Sequence, residues 1–148
     1  MAAGKILRWG VSNLDTTDLQ ELVAAGETAC AADQVLYNLT RRSLEYNLLP
    51  WLADRGMPIM AYSPIEQGRL LNNSKLRKVA AGLGATPAQV ALAWVLHQGQ
   101  VIAIPKAGSV AHVQGNRAAA ELHLAAGDLA ALEAAFPRPG KRLPLEML

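Results

Sequence analysis

The chain is poor in the residues that usually announce a chemistry. Its only cysteine among 148 residues is Cys30, so an internal disulfide and a cysteine-rich zinc site are excluded and a reducing compartment, the cytoplasm, is expected. With no histidine near it in sequence, Cys30 reads as inert packing. His97, His112 and His123 show no spacing that places two ligands on one helix face, and no metal is expected. Apolar runs such as Val90 to Leu96 fall far short of the ~20 residues that span a bilayer, and the N-terminus lacks a signal-peptide pattern, so no membrane partner is expected. The net charge of +2 comes from both signs spread along the chain. No basic run interleaved with aromatics tracks a nucleic-acid backbone, and nucleic acid is not an expected partner. A G-x-G-x-x-G fingerprint, a Walker loop and a G-x-S-x-G elbow are all missing, which removes the usual warrants for a doubly wound dinucleotide fold, a P-loop nucleotidase and a serine hydrolase.

What is there suffices for one core. With 51% apolar and 18% charged residues, residues 1–148 read as a single domain ending in a Pro- and Lys/Arg-containing tail, 137–148. Strand patterns at Ile6–Val11, Gln34–Leu36, Pro58–Tyr62 and Val101–Ile104 alternate with helical ones. The first helix has Asp15, Thr16 or Thr17 as cap, with Thr17 and Gln20 at capping-box spacing, and Gly26 as its stop. Leu44, Leu48 and Leu52 give Leu44–Arg55 a helical stripe that Pro50 splits. A loop covers Ile65–Asn73 and a helix begins at Ser74. Thr86-Pro87 opens another, apolar nearly all round, which predicts burial on most sides. Further helices follow over about Ser109–Ala120 and through Leu129, Leu132 and Phe136.

Short strands separated by helix-length crossovers imply an α/β fold with a parallel sheet. Two architectures accommodate this: an open doubly wound sheet, or part of a (β/α)₈ barrel. The missing glycine fingerprint weighs against the first. For the second speak polar residues at strand ends, namely Ser12-Asn13, Gln34 with Tyr37-Asn38, Tyr62-Ser63 and Lys106, since barrel enzymes keep their sites there. The stretch VIAIPKAGSVAHVQGN, 101–116, organises the chain. It reads as a fully buried strand stopped by Pro105, a lysine, and a helix capped by Ser109, whose free N–H groups beside Lys106 suit a phosphate. The plainer alternative is an ordinary strand-to-helix turn with a solvated lysine.

The motifs GKILRWGVSN, DQVLYN, MAYSP and AIPKAGSVAHVQGN, in that order and over essentially the whole chain, resemble the C-terminal half of the aldo/keto reductases. YSPIEQGRL and the LPLEML ending are most similar to bacterial members related to diketogulonate and methylglyoxal reductases. The resemblance implies the second half of a (β/α)₈ barrel, about four parallel strands with flanking helices, and NADPH as cofactor. Ser12, Asn13 and Gln34 would hydrogen-bond the nicotinamide carboxamide, and Tyr62 would stack on its ring. Ser63 and the loop through Ile65 and Gln67 would lie over the pyrophosphate. Lys106 would pair with the 2′-phosphate, helped by Ser109 and His112, and Asn116 would contact adenine. The family often has arginine where His112 stands and glutamate where Gly115 stands, so NADH is also an expected cofactor. The family's catalytic tyrosine, lysine, aspartate and histidine belong to the first half of the barrel. None of Tyr37, Tyr46 and Tyr62 sits in that motif, so no catalytic residue is assigned and the chain alone is expected to be inactive. A small carbonyl substrate is expected only where the first half is supplied. The alternative is a non-catalytic α/β interaction module whose open sheet edges pair with a second copy or with a separate N-terminal half-barrel.

Overall fold

Strands and helices alternate along residues 4–148, the part described in the computed structural model. β1 (Trp9–Ser12) leads to α1 (Thr16–Ala24), β2 (Cys30–Leu36), a 3-10 turn at Ser43–Glu45 and α2 (Leu48–Ala53). Then come β3 (Ile59–Tyr62), a 3-10 stretch at Glu66–Asn72, α3 (Ser74–Gly82), α4 (Pro87–His97), β4 (Val101–Ala103), α5 (Val110–Ala119) and α6 (Ala126–Ala135). The four strands pair in chain order and all run parallel. Parallel neighbours need crossovers, and the helices supply them.

Local chemistry explains most boundaries. α4 starts as expected, with Pro87 in its first turn and Thr86 and Gln89 satisfying each other's backbone N–H groups. α1 uses a different box from the expected Thr17–Gln20 pair. Asp15 Oδ1 accepts from the Thr17 and Asp18 N–H groups (2.7 and 3.1 Å), and Asp18 Oδ2 accepts from the Asp15 N–H (2.8 Å). The carboxylates of Asp15 at the cap and Asp18 in the first turn also favour the positive end of the helix dipole, so the helix begins earlier. Pro50 lies in the first turn of α2, and the segment 44–55 divides into the 3-10 turn and α2.

The core lies on one side of the sheet. Val35, Ile59 and Ala61 meet Leu19, Leu76, Val90, Trp94, Val95 and Leu132 there. Every residue from Val90 to Val95 is buried, so α4, apolar all round, is the central helix. Among the described residues no single helix is long and apolar enough to cross a membrane. A buried arginine is enclosed with the core and reaches a carboxylate at the surface. Arg42, 6% exposed, is ion-paired to Glu45 (2.7 Å) and Glu133 (2.8 Å) and donates to the Phe136 carbonyl, while its guanidinium lies 5.0 Å from the Trp94 ring. Tyr37 donates to Glu45 at 2.8 Å. Cys30 is buried and unpaired, with its thiol 3.5 Å from the Ala32 carbonyl, which agrees with the packing role.

Three strand expectations are corrected. β1 begins at Trp9 rather than Ile6 and includes Ser12. β2 extends back to Cys30, which pairs with Trp9, because Gly10 lets the two backbones approach closely. At Gly10 a Cβ would fall 2.6 Å from the Ala32 carbonyl oxygen, and the register shifts there, between Trp9 and Val11. Finally, β4 is not fully buried: Ile102 is 48% exposed. It is an edge strand, covered by helices on one face only, and branched residues serve a half-covered edge as well as a buried centre.

The opposite face of the sheet is open. Register puts Ser12 level with Gln34, Gln34 with Met60 and Met60 with Ile102. With Gly10 and Ala32 these residues form the uncovered side, and several of them line a depression of about 460 Å³.

Candidate functional site

Because the strands are parallel, their C-terminal ends share one end of the molecule, and the polar tips meet there. Ser12 closes β1 and donates its hydroxyl to the Gln34 carbonyl at 3.0 Å, and the Asn13 N–H donates to the same oxygen at 3.0 Å. Gln34 does not sit at the end of its strand, as the sequence pattern suggests. It lies two residues inside β2, yet level with Ser12, because the register staggers β2 beyond β1. The two expectations therefore converge: Ser12, Asn13 and Gln34 form one tied group. The Gln34 side-chain amide is half-buried and bonds to nothing among the described residues. Such a group is complementary to a planar carboxamide, which offers one acceptor and two donors.

Asn13 turns the chain with φ 58°, in the left-handed region where asparagine is better tolerated than most residues. Its Oδ1 is buried without a donor, and so are both carboxyl oxygens of Asp33. Asp33 is wholly enclosed on the helix-covered face beside the β1–α1 turn. Burial pushes its carboxyl up to about 6, opposed by the nearby Leu14 and Asn13 N–H groups and reinforced by the charge of Asp18. Sequence reading passed over Asp33. The signal was present, since a charged residue at an inward position of a strand is rarely neutral to function or stability.

Tyr62, the last residue of β3, is half-buried and level with Leu36. Ser63 follows with φ 47°, and the turn continues through Glu66 (φ 50°) and Gln67 (φ 54°). Ile65 packs on the core and Gln67 is exposed. The expected loop at Ile65–Asn73 is wound into 3-10 turns. Its anchor also escaped the sequence reading. Buried Asn38 donates through Nδ2 to the Ser63 carbonyl (2.9 Å) and to Glu66 (2.8 Å), while its Oδ1 accepts from Thr40 and from the Arg41 N–H. Burial raises the Glu66 carboxyl, but hydrogen bonds from Arg41, Asn38 and Arg69 outweigh it and hold the group below the ordinary glutamate range.

Past β4, Lys106 is exposed at the same end of the sheet. Ser109 caps α5, its Oγ accepting from the His112 N–H at 3.2 Å. The hydroxyl proton is left for another acceptor. His112 is exposed on the first turn of α5, and Asn116 is half-buried one turn on. An exposed ammonium beside a capped ten-residue helix suits a phosphate. Larger depressions lie elsewhere, of about 700 Å³ near Leu7, Cys30 and Pro58 and about 480 Å³ near Met57 and Gln98–Gln100. Both are at the N-terminal end of the sheet, away from the strand ends where parallel α/β folds keep their sites, so the polar end is the better candidate.

Comparison with known proteins finds relatives along the whole chain. Residues 1–136 match the model of the aldo/keto reductase family. The chain is 50% identical to methylglyoxal reductase YeaE of Escherichia coli, covering 100% of this chain and 54% of that protein. It is 36% identical to pyridoxine 4-dehydrogenase of E. coli, over 88% of this chain and 45% of that one. A crystal structure of an aldo-keto reductase from Klebsiella pneumoniae in complex with NADPH superposes with a TM-score of 0.95 at 46% identity, covering 99% of this chain and 54% of the other. The chain spans about half the length of these relatives, so its four strands are part of a barrel and the uncovered sheet face is the side that would be its interior.

Proposed function

The chain belongs to the aldo/keto reductase family, and we propose that it is the cofactor-holding half of an NADPH-dependent carbonyl reductase. The observation that carries this is the tied group Ser12–Asn13–Gln34 at the same sheet end as Tyr62 and Lys106. A uniform amide-and-hydroxyl cluster at one side and an ammonium with a helix start at the other match a molecule with a carboxamide at one end and phosphates toward the other. The relative solved with NADPH supports that choice. Ser12, Asn13 and Gln34 would hold the carboxamide. Tyr62 would offer its ring to the nicotinamide face, and Ser63, Ile65 and Gln67 would lie along the pyrophosphate. Lys106, with Ser109 and His112, would take the 2′-phosphate, and Asn116 the adenine. Bound there, the cofactor supplies a hydride. The residues of this chain orient it and cover one side.

Proton delivery is assigned to no residue of this chain. A positioned proton donor contributes about 10²–10⁴-fold, so the chain alone is expected to bind nucleotide without reducing aldehydes. A small carbonyl, of the class that the methylglyoxal reductase relative takes, becomes a substrate once the rest of the barrel is present. Titrating NADPH into the full chain and following cofactor fluorescence tests the reading. Saturable binding below the millimolar range is expected, and its absence overturns the proposal. NADH is expected to bind more weakly, the difference resting on Lys106. The cytoplasm, where the cofactor and reduced Cys30 would both persist, belongs to the same reading.

A second reading rests on the sheet edges. Among the described residues nothing pairs with the outer sides of β1 and β4. Unpaired parallel edges seek strands, and a second copy or a separate N-terminal half-barrel would supply them. Light scattering on the eluting chain decides: a stable monomer that ignores an added half-barrel removes this reading and leaves the first intact.

A further inference from the structure

The turn after β3 holds three non-glycine residues in left-handed conformations, Ser63, Glu66 and Gln67. Such backbone persists only where its surroundings over-determine it. Here the constraint converges on one carboxylate. The Glu66 side chain, 8% exposed, accepts from Asn38 Nδ2 (2.8 Å), Arg41 Nε (3.2 Å) and Nη2 (2.9 Å), and Arg69 Nη2 (3.4 Å). Arg41 presents one edge of its planar fork to Glu66. Its remaining arm, Nη1, donates to Glu146 Oε1 at 2.8 Å, across 105 residues of sequence. The tail is tied a second time, by Arg142 to Asp15 at 3.2 Å, beside the turn that carries Ser12 and Asn13. Leu145, next to Glu146, packs against the core.

We propose that Arg41 is a positioning residue through which the C-terminal tail sets the rigidity of the turn 63–68, and so the residence time of whatever that turn covers. A guanidinium is flat and its donors are fixed relative to one another. Anchoring Nη1 on Glu146 therefore aims the Nε–Nη2 edge at Glu66. Without that anchor a side chain already 36% exposed turns toward solvent, Glu66 loses its two-pronged partner, and the strained turn opens more often. Arg69, 61% exposed and at 3.4 Å, is a weak substitute. The effect on the nucleotide rests on the cofactor reading above, whereas the coupling of tail to turn does not.

Hydrogen exchange on the full chain separates the two. The Glu66 N–H donates to the Ser63 carbonyl and the Gly68 N–H to the Ile65 carbonyl, both at 2.9 Å, so these amides report the turn itself. Glu146→Ala is expected to speed their exchange by about 3–10-fold. Arg41→Ala should do the same, and the double variant should add nothing. If Glu146→Ala speeds exchange only in residues 141–148, or if the two substitutions act additively on the turn, the coupling is overturned. NADPH dissociation from the Glu146→Ala variant is expected to quicken by the same factor. A turn that loosens while dissociation stays unchanged refutes the link to the nucleotide and leaves the tail-to-turn coupling standing.

Discussion

The two ends of the proposed nucleotide site are built on different principles. At β1–β3 the groups are set by backbone: Ser12 and Asn13 share the Gln34 carbonyl, Asn13 and Ser63 stand at positive φ, and Asn38 is buried under the turn. At β4–α5 the tie is a single one, the Ser109 cap on the His112 N–H. Lys106, Ser109 and His112 are exposed, and Ile102 borders an open edge. Neutral hydrogen-bonding groups discriminate by geometry and need a rigid frame. A phosphate is recognised by charge, which acts over several ångströms and tolerates a mobile ammonium. Substitutions should therefore cost stability at the first end and affinity at the second.

Asn38→Ala should break this contrast hardest. It takes from Glu66 Oε2 its buried donor and from Thr40 its side-chain acceptor, while the Arg41 N–H keeps the Asn38 carbonyl and the Ser63 carbonyl keeps the Glu66 N–H. Leaving one buried carboxylate oxygen without its donor, at ~1–3 kcal/mol or more for a charged group, predicts a loss of about 3 kcal/mol in denaturant unfolding. A loss under ~1 kcal/mol would mean that the frame is not rigid.

Asp33→Asn should act in the other direction and depend on pH. Because the folded pKa is raised to about 6 from 3.8, the folded state holds its proton more tightly than the unfolded state. Stability therefore falls as pH rises from about 4 to about 6 and stays low above. Removing the charge should stabilise by roughly 2–3 kcal/mol at pH 7 and leave pH 4 nearly unchanged. Equal melting shifts at both pH values would contradict it.

Gly10→Ala sharpens the same side. A methyl 2.6 Å from a backbone oxygen forces β1 away from β2, at about 1–3 kcal/mol. Thermal unfolding reads the loss, and nucleotide affinity should fall with it, because the Ser12–Gln34 tie lies two residues on.

Smallest in stability is Lys106→Ala at the exposed end. Unfolding should be unchanged within ~0.5 kcal/mol, whereas NADPH should bind about tenfold more weakly and NADH equally well, the difference of one charge-assisted bond. Equal losses for both nucleotides would move Lys106 away from the 2′-phosphate.

Much of this contrast was legible in the residues. The capping box at Thr86–Gln89, the Pro50 break and the glycine stops are local events decided within four residues, and the sequence pattern locates them without reference to the rest of the chain. The strand-end groups Ser12-Asn13, Tyr62-Ser63 and Lys106 are legible for the same reason, each standing where an apolar run stops. Other features needed the packed sheet. That Gln34 is level with Ser12 although inside its strand follows from parallel register, a relation between segments 22 residues apart. Whether Val101–Ala103 is a centre or an edge is a property of its neighbours. Asp33 becomes an unusual acid, and Asn38, Arg41 and Glu66 become an anchor, only when burial removes water and brings Glu146 back across the chain. Sequence by itself determined which elements form and which chemical groups end them, since those depend on short-range sterics and hydrogen bonding. Tertiary structure alone decided which groups face one another and which are cut off from solvent, since energies of burial and of ion pairs are set by distance in space.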